Sequence, residues 1–318
     1  MATSYLNSAN NTTVTTAATF IPEIWSDEIV AAYKKNLVAA NLVKRMNFKG
    51  KRGDTVHIPA PTRGTANAKT ATNVVTLQVA TESEVAVSIN KHYEYSRLIE
   101  DIVEVQALAS LRGFYTDDAG YALAKQVDTD LIRLGRGFNG ATIGTNDYAT
   151  AAASTKAYIG GDGTTAYNSS TSNASALTDA AIRRTIQRLD DQDVPMDGRF
   201  FIIPPSSRNT LMGLARYTEQ AFVGEAGANN TIRNGEIGNL YGMPVFVTTN
   251  ADYGAGNSGA DRICLMGHKD SMVLVEQQAI RSQTQYKQEY LGTLFTSDTI
   301  YGVSELRDYG AVALAVPA

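Results

Sequence analysis

Cysteine is nearly missing from this chain: Cys264 stands alone among 318 residues. One thiol cannot close an internal disulfide, so stability must come from packing or from association, and the usage fits a reducing compartment. Long apolar runs are missing too, none approaching the roughly eighteen residues a membrane-spanning helix needs. Positive charge is not in surplus, since 28 Lys and Arg face 32 Asp and Glu for a net charge of -4, which leaves no polyanion-binding excess. The N-terminal residues carry neither the basic start nor the apolar block of a secretory signal.

The components of familiar active sites are equally sparse. His57, His92 and His268 stand far apart, with no pair at helical ligand spacing and no second cysteine for a thiolate site. Cys264, between Ile263 and Leu265, reads as a small buried strand residue rather than a nucleophile. No serine occupies a Gly-x-Ser-x-Gly elbow. Gly135-Arg-Gly137-Phe-Asn-Gly140 has dinucleotide-fingerprint spacing, but it follows a helical pattern and leads into low-complexity sequence, so it reads as a helix stop. Asp190, Asp191, Asp193 and Asp197 gather carboxylates, yet Pro195 and their spacing depart from a calcium loop and fit a solvated turn. Lys49, Lys51 and Arg52, and Arg183, Arg184 and Arg188, read as solvated faces that permit only weak, sequence-blind contact with nucleic acid.

What the chain does contain is long and extended. Over residues 98–138, Leu108, Leu111, Tyr115, Ala119, Leu123, Val127, Leu131, Leu134 and Phe138 recur in steps of three or four, one stripe along a helix. Such a helix would reach roughly 50 Å and serve as a spine. Gly113 and Gly120 weaken it by about 1 kcal/mol each, with a bend or break expected near Gly113. Glu100, Asp101 and Glu104 suit its start, Arg133 and Arg136 its last turn, and Gly135, Gly137 and Gly140 its stop.

Residues 50–90 alternate like β-structure at both ends. Val56 and Ile58 share one side of the first arm, and Val85, Val87 and Ile89 one side of the return arm. Between them, residues 62–73 are only Thr, Arg, Gly, Ala, Asn and Lys, a segment of roughly 40 Å if extended and unable to build a core of its own. The hairpin must therefore lean on another surface or move freely. Residues 1–19 are an arm too poor in apolar side chains to order alone, and residues 20–49 contain a helix with Pro22 at its first turn.

Residues 140–176 form a low-complexity surface loop with a few short strands. A helix over 177–189, capped by Thr178, precedes a buried strand over 199–203 that Pro204 and Pro205 end, and a further helix begins at Ser206. Strands are expected over 242–250 and 262–266, and the chain is almost wholly β from 269 onward.

The order of these parts resembles the major capsid protein of tailed bacteriophages, with the Hong Kong 97 type of fold. The residues that carry the resemblance are the hairpin at 50–90 and the spine ending in Leu131-Ile-Arg-Leu-Gly-Arg-Gly-Phe-Asn-Gly140. They continue with Asp193-Val-Pro-Met-Asp-Gly-Arg-Phe-Phe-Ile-Ile-Pro-Pro205, Gly238-Asn-Leu-Tyr-Gly-Met-Pro-Val-Phe-Val-Thr-Thr-Asn250 and Tyr301-Gly-Val-Ser-Glu-Leu-Arg-Asp-Tyr-Gly-Ala-Val-Ala-Leu-Ala-Val316. The resemblance implies an α+β chain with a peripheral domain (98–139 and 268–318), an axial domain (177–267) and an extended hairpin (50–97) lying across the adjacent subunit.

It further implies a shell protein of the virion, made in the host cytoplasm, without catalysis or cofactor. Its partners would be other copies of itself in hexamers and pentamers, portal and scaffolding proteins, a decoration protein and packaged double-stranded DNA, with no membrane. Arg63, Asn67, Lys69 and Asn73, polar residues of the hairpin, are the candidate inter-subunit contacts. Some family members weld subunits through a lysine–asparagine isopeptide bond, but no motif here fixes a partner for Lys69. The rival readings are a cytoplasmic enzyme with a nucleotide or metal site at 135–140 and 190–197, and a phage tail structural protein.

Overall fold

The computed structural model describes residues 38–50, 53–61, 64–71, 74–75, 77, 82–101, 111–138, 157–169, 171–214, 238–254 and 260–318. In chain order these give α1 (Ala39–Leu42), β1 (Lys44–Asn47), the hairpin strands β2 (Thr55–Pro61) and β3 (Glu82–Ser88), β4 (Lys91–Glu100) and the longest helix, α2 (Leu111–Arg133). Next come β5 (Ala157–Ile159), α3 (Asp179–Asp191), β6 (Arg199–Ile203), α4 (Pro205–Met212), β7 (Asn239–Leu240) and β8 (Met243–Val247). Four strands complete the order: β9 (Asp261–His268), β10 (Met272–Lys287), β11 (Gly292–Glu305) and β12 (Ala311–Pro317).

Two mixed sheets organise the molecule. A four-stranded sheet runs β1-β10-β11-β4, and a six-stranded sheet runs β5-β12-β9-β6-β8-β7. Strand alternation assigns each sheet two faces. In the six-stranded sheet, Phe201, Ile203, Met266 and Leu314 face α3 and α4, where Ile182, Leu189 and Leu211 complete one core. Its opposite face offers Phe200, Ile202 and Leu265 to the end of α2, and there Leu131, Leu134 and Phe138 also meet Met272, Leu274 and Tyr301 of the four-stranded sheet. The end of α2 is thus buried between both sheets.

The four-stranded sheet is covered on its other face as well. Val273 and Val275 of β10 alternate with Met272 and Leu274, and they meet Val87 and Ile89 at the root of the hairpin, with Val56, Ile58 and Ile300 around them. One strand therefore holds the helix with one row of side chains and the hairpin with the other.

Of the spine expected over 98–138, residues 98–100 are strand instead, and residues 102–110 lie outside the described set. Residues 91–100 are strand β4, in register with β11 from Lys91 opposite Tyr301 to Glu100 opposite Gly292. The described helix has 23 residues, about 35 Å at the usual rise, and it continues unbroken through Gly113 and Gly120 before tightening into a 3₁₀ turn at Leu134–Arg136. Of the helix expected in 20–49, residues up to 37 lie outside the described set. Residues 44–47 are strand because they pair in parallel with β10, Lys44 opposite Val273 and Asn47 opposite Glu276; tertiary pairing outweighs local helix preference there.

The low-complexity run is not all surface loop. Ala157 and Tyr167 are buried with Ile263 and Ala313, β5 extends the six-stranded sheet beside β12, and the Tyr167 hydroxyl donates to Asp261 Oδ2 at 2.8 Å. The Thr178 cap is present: its hydroxyl accepts from the Ala181 amide at 3.2 Å.

At the end of β11, Glu305 Oε2 is buried without a hydrogen-bond partner among the described residues. Burial, aided by the charge of Asp308, pushes the carboxyl from its ordinary 4.5 up to about 7. A raised folded-state value means that this group's stabilising contribution is complete below 4.5 and is lost as pH rises through about 7. The thermal midpoint of the isolated subunit should therefore fall more steeply between pH 4.5 and about pH 7 in the native sequence than in Glu305→Gln. Equal pH slopes in a melting series would contradict that assignment.

Candidate functional site

The hairpin is ordered at its root by ordinary sheet chemistry. Val56 lies opposite Val87 and Ile58 opposite Val85, matching the period-two pattern, and the Ile89 amide donates to the Asp54 carbonyl at 2.7 Å. Pro59 and Pro61 remove backbone donors from β2, which keeps a two-stranded ribbon from templating unwanted strands. Beyond Pro61 the ladder is not continued by the described residues of the tip. Residues 64–71, 74, 75 and 77 are all exposed and none is in a strand.

Of the expected contact residues, Asn67 and Lys69 are exposed in this segment, and Lys69 Nζ donates to the neighbouring Thr70 carbonyl at 2.9 Å. Arg63 and Asn73 lie outside the described residues. The sequence reading passed over Val74, Val75 and Leu77, which are 90, 67 and 88 % exposed. Their signal was available as three aliphatic side chains directly after a run without any.

Beneath the hairpin's sheet, α2 is fastened by three buried polar joints. Asp128 accepts from the amides of Val38 at 3.0 Å and Ala39 at 2.7 Å and from Asn250 Nδ2 at 2.8 Å. Its carboxylate thereby joins the incoming chain, α2 and the turn after β8. Burial raises its pKa, opposed by those same hydrogen bonds. Asp130 takes the Lys91 ammonium at 3.1 Å and the Tyr301 hydroxyl at 2.7 Å, linking α2 to β4 and β11. Arg136, expected to be a helix-end charge, is instead buried and makes a two-pronged contact with Asp252, both bonds 2.7 Å, a geometry that resists rotation as well as separation. Asp128 and Asp130 flank an apolar stripe in the sequence, and acids in that setting are the sign of buried partners.

The chemical candidates resolve into structure. The 135–137 turn closes α2 and holds Arg136 in its ion pair, while Gly140 lies outside the described residues. Arg199 Nη2 donates to Asp190 Oδ1 at 2.7 Å, and the same guanidinium donates to the Pro195 carbonyl at 2.9 Å, so the acidic turn is laced around a cation of its own chain. Among the described residues, no three His, Cys, Asp or Glu side chains converge as metal ligands. Cys264 is buried beside Ser207, and desolvation pushes its thiol up to about 12, far from a reactive thiolate. Arg188 does not belong to a solvated face: its guanidinium stacks 3.5 Å from the Tyr158 ring centre and donates to the Gly163 carbonyl.

Comparison with known proteins agrees with this architecture. A family profile described as phage capsid protein matches residues 40–315. A structure from Mycobacterium phage Che8 is similar over 93 % of this chain and 97 % of its own, at 22 % identity and a TM-score of 0.72. The capsid structure of cyanophage P-SCSP1u is similar over 98 % of this chain and 96 % of its own, at 16 % identity and a TM-score of 0.72. The capsid of Ralstonia phage GP4 covers 93 % of this chain and 95 % of its own, at 17 % identity and a TM-score of 0.67. No curated protein sequence matches.

The joint at Asp128 is testable by truncation. Asp128→Ala leaves two backbone amides and the Asn250 amide buried without their acceptor, and should lower subunit stability by about 2–4 kcal/mol in urea unfolding. A loss below about 1 kcal/mol would mean that water or another group takes over the joint.

Proposed function

Since the chain belongs to the phage capsid protein family, we propose that it is the major capsid protein of a tailed double-stranded DNA phage and that its mechanism is association. Copies close as hexamers and pentamers into an icosahedral head. The fold is α+β, with mixed sheets and a long helix, consistent with the Hong Kong 97 type. In that frame α2 with the four-stranded sheet forms the peripheral domain, the six-stranded sheet with α3 and α4 forms the axial domain, and the hairpin lies across the adjacent subunit.

The observation that carries this reading is the contrast within the hairpin. Its root is buried against β10 and β11, while its tip exposes every described residue, three large aliphatic ones included. A segment of that composition gains a fixed position only by contact with another surface. Arg63, Asn67, Lys69 and Asn73 would make the polar part of that contact. Near-neutral charge is compatible with a DNA-filled shell because packaged DNA brings condensed counterions, and contact with it would be weak and sequence-blind. Portal, scaffolding and decoration proteins are the further partners of this role, and the virion its location.

Purified protein should sediment as closed particles of uniform diameter, visible by negative stain; discrete small oligomers or tubes would overturn the reading. Deleting residues 62–73 should leave the stability of the subunit within about 1 kcal/mol of the native value, because the composition of that segment lacks core-forming side chains. The same deletion should abolish shell closure, and normal particles from it would remove the hairpin from the assembly mechanism.

A further inference from the structure

The four-stranded sheet changes its edge strand partway along. Asn47, Glu276, Tyr301 and Lys91 lie opposite one another in a single row, the last that β1 shares and the first that β4 shares. On the body side of that row Met272, Val273, Leu274 and Val275 are buried, while on the outer side residues 279–286 of β10 are all exposed. The row is a border between a packed half and an outer half.

Just beyond the border the ladder is irregular, and on one strand. Glu276 to Arg281 along β10 faces Tyr301 to Asp298 along β11, with register shifts on either side of Gln278, so β10 carries two residues more than its partner there. β11 and β4 keep an unbroken register over the same stretch. Extra residues of this kind bend the strand that carries them and raise its twist.

One side chain spans the irregularity. Asp298, buried in the middle of β11, accepts from Arg281 Nε at 2.8 Å on Oδ1. Its Oδ2 receives Gln278 Nε2 at 2.8 Å, Arg281 Nη2 at 3.2 Å and His92 Nε2 at 3.3 Å, the last in the tautomer that carries its proton there. A carboxylate oxygen offers about two lone pairs, so three donors compete for Oδ2. The Arg281 bonds, with those of Gln278 and His92, hold the carboxyl below its ordinary range against the cost of burial, and Asp298 stays an acceptor.

Gln278 and Arg281 stand on the two sides of the second shift, whereas His92 belongs to β4. A carboxylate that grips both β10 side chains keeps the bulge pinched. One that gives up Arg281 for His92 lets β10 relax, and the exchange costs little because one donor replaces another. The side chains of Arg281 and His92 are each more than half exposed, so whichever is released finds water. The outer half also meets α2 through the Tyr95 hydroxyl on Asp118 and Arg97 over the Tyr115 ring, side chains long enough to follow a small rotation.

We propose that Asp298 is the pin of a two-position hinge between the halves of this sheet, with Arg281 holding one position and His92 the other. The use assigned to it rests on the shell-forming reading: identical chains in unlike surroundings need a joint whose settings differ little in free energy.

Spin labels on Lys44→Cys in β1 and Gln285→Cys on outer β10 read the angle by pulsed dipolar spectroscopy of the full chain. Both sites are exposed, and native Cys264, buried with its thiol pushed up to about 12, stays unlabelled. The free subunit should show two distances. His92→Ala should move their population ratio one way by about threefold or more, and Arg281→Ala should move it the other way. A pin that merely stabilises gives one distance and no opposed shifts.

A single narrow distance in the native subunit, or shifts of the same sign, overturns the hinge, and closed particles formed by that same chain leave the shell reading standing. Two distances from a chain that forms no closed particles keep the hinge and remove the shell reading. Where a variant does not fold, the native distribution decides alone.

Discussion

The structure depends on one strand being used from both sides. Along β10, Met272 and Leu274 are committed to the end of α2 and Val273 and Val275 to the root of the hairpin. A slip of one residue would exchange the two rows, but both are apolar and both are buried, so pattern alone does not hold the register. The pairing partners and the polar joints hold it: β1 and β11 on either edge, and Asp130 binding Lys91 and Tyr301 across the sheet. The hairpin leaves the body at a fixed place and angle because its root is part of this core.

That arrangement separates two kinds of stability. The cores around the six-stranded sheet and the end of α2 are complete within one copy, and buried ion pairs such as Arg136 with Asp252 give them a single geometry. Those pairs contribute specificity more than free energy, since desolvation offsets much of their attraction. The described residues of the tip belong to none of these cores. A packed body with an exposed extension is the arrangement the proposed closed assembly calls for, since each extension would then meet the next body.

Much of this was legible in the chain. Period-two alternation placed the hairpin arms on their correct faces, period 3.6 marked the long helix α2, and Thr178 was a recognisable cap. The misses have physical causes. Residues 44–47 and 98–100 are strands because partners far along the chain, in β10 and β11, pair with them, and local periodicity does not report a distant ladder. Tyr167 and Asp261 enclose a buried hydrogen bond in a run whose composition resembles loop. Arg136 and Arg188 look like surface charges until Asp252 and Tyr158 fold against them. The three aliphatic residues Val74, Val75 and Leu77 stand in the sequence directly after a run without large apolar side chains, but composition alone does not report that the fold leaves them exposed.

The central claim is that the tip of the hairpin is held by neighbouring copies and not by its own. Amide hydrogen exchange on the peptide spanning residues 64–77 tests it most directly, compared between free subunits and assembled particles. The account predicts rapid exchange in the free subunit and strong protection in the particle, with the α3 and β6 amides slow in both. Equal protection of 64–77 in the two states would contradict it.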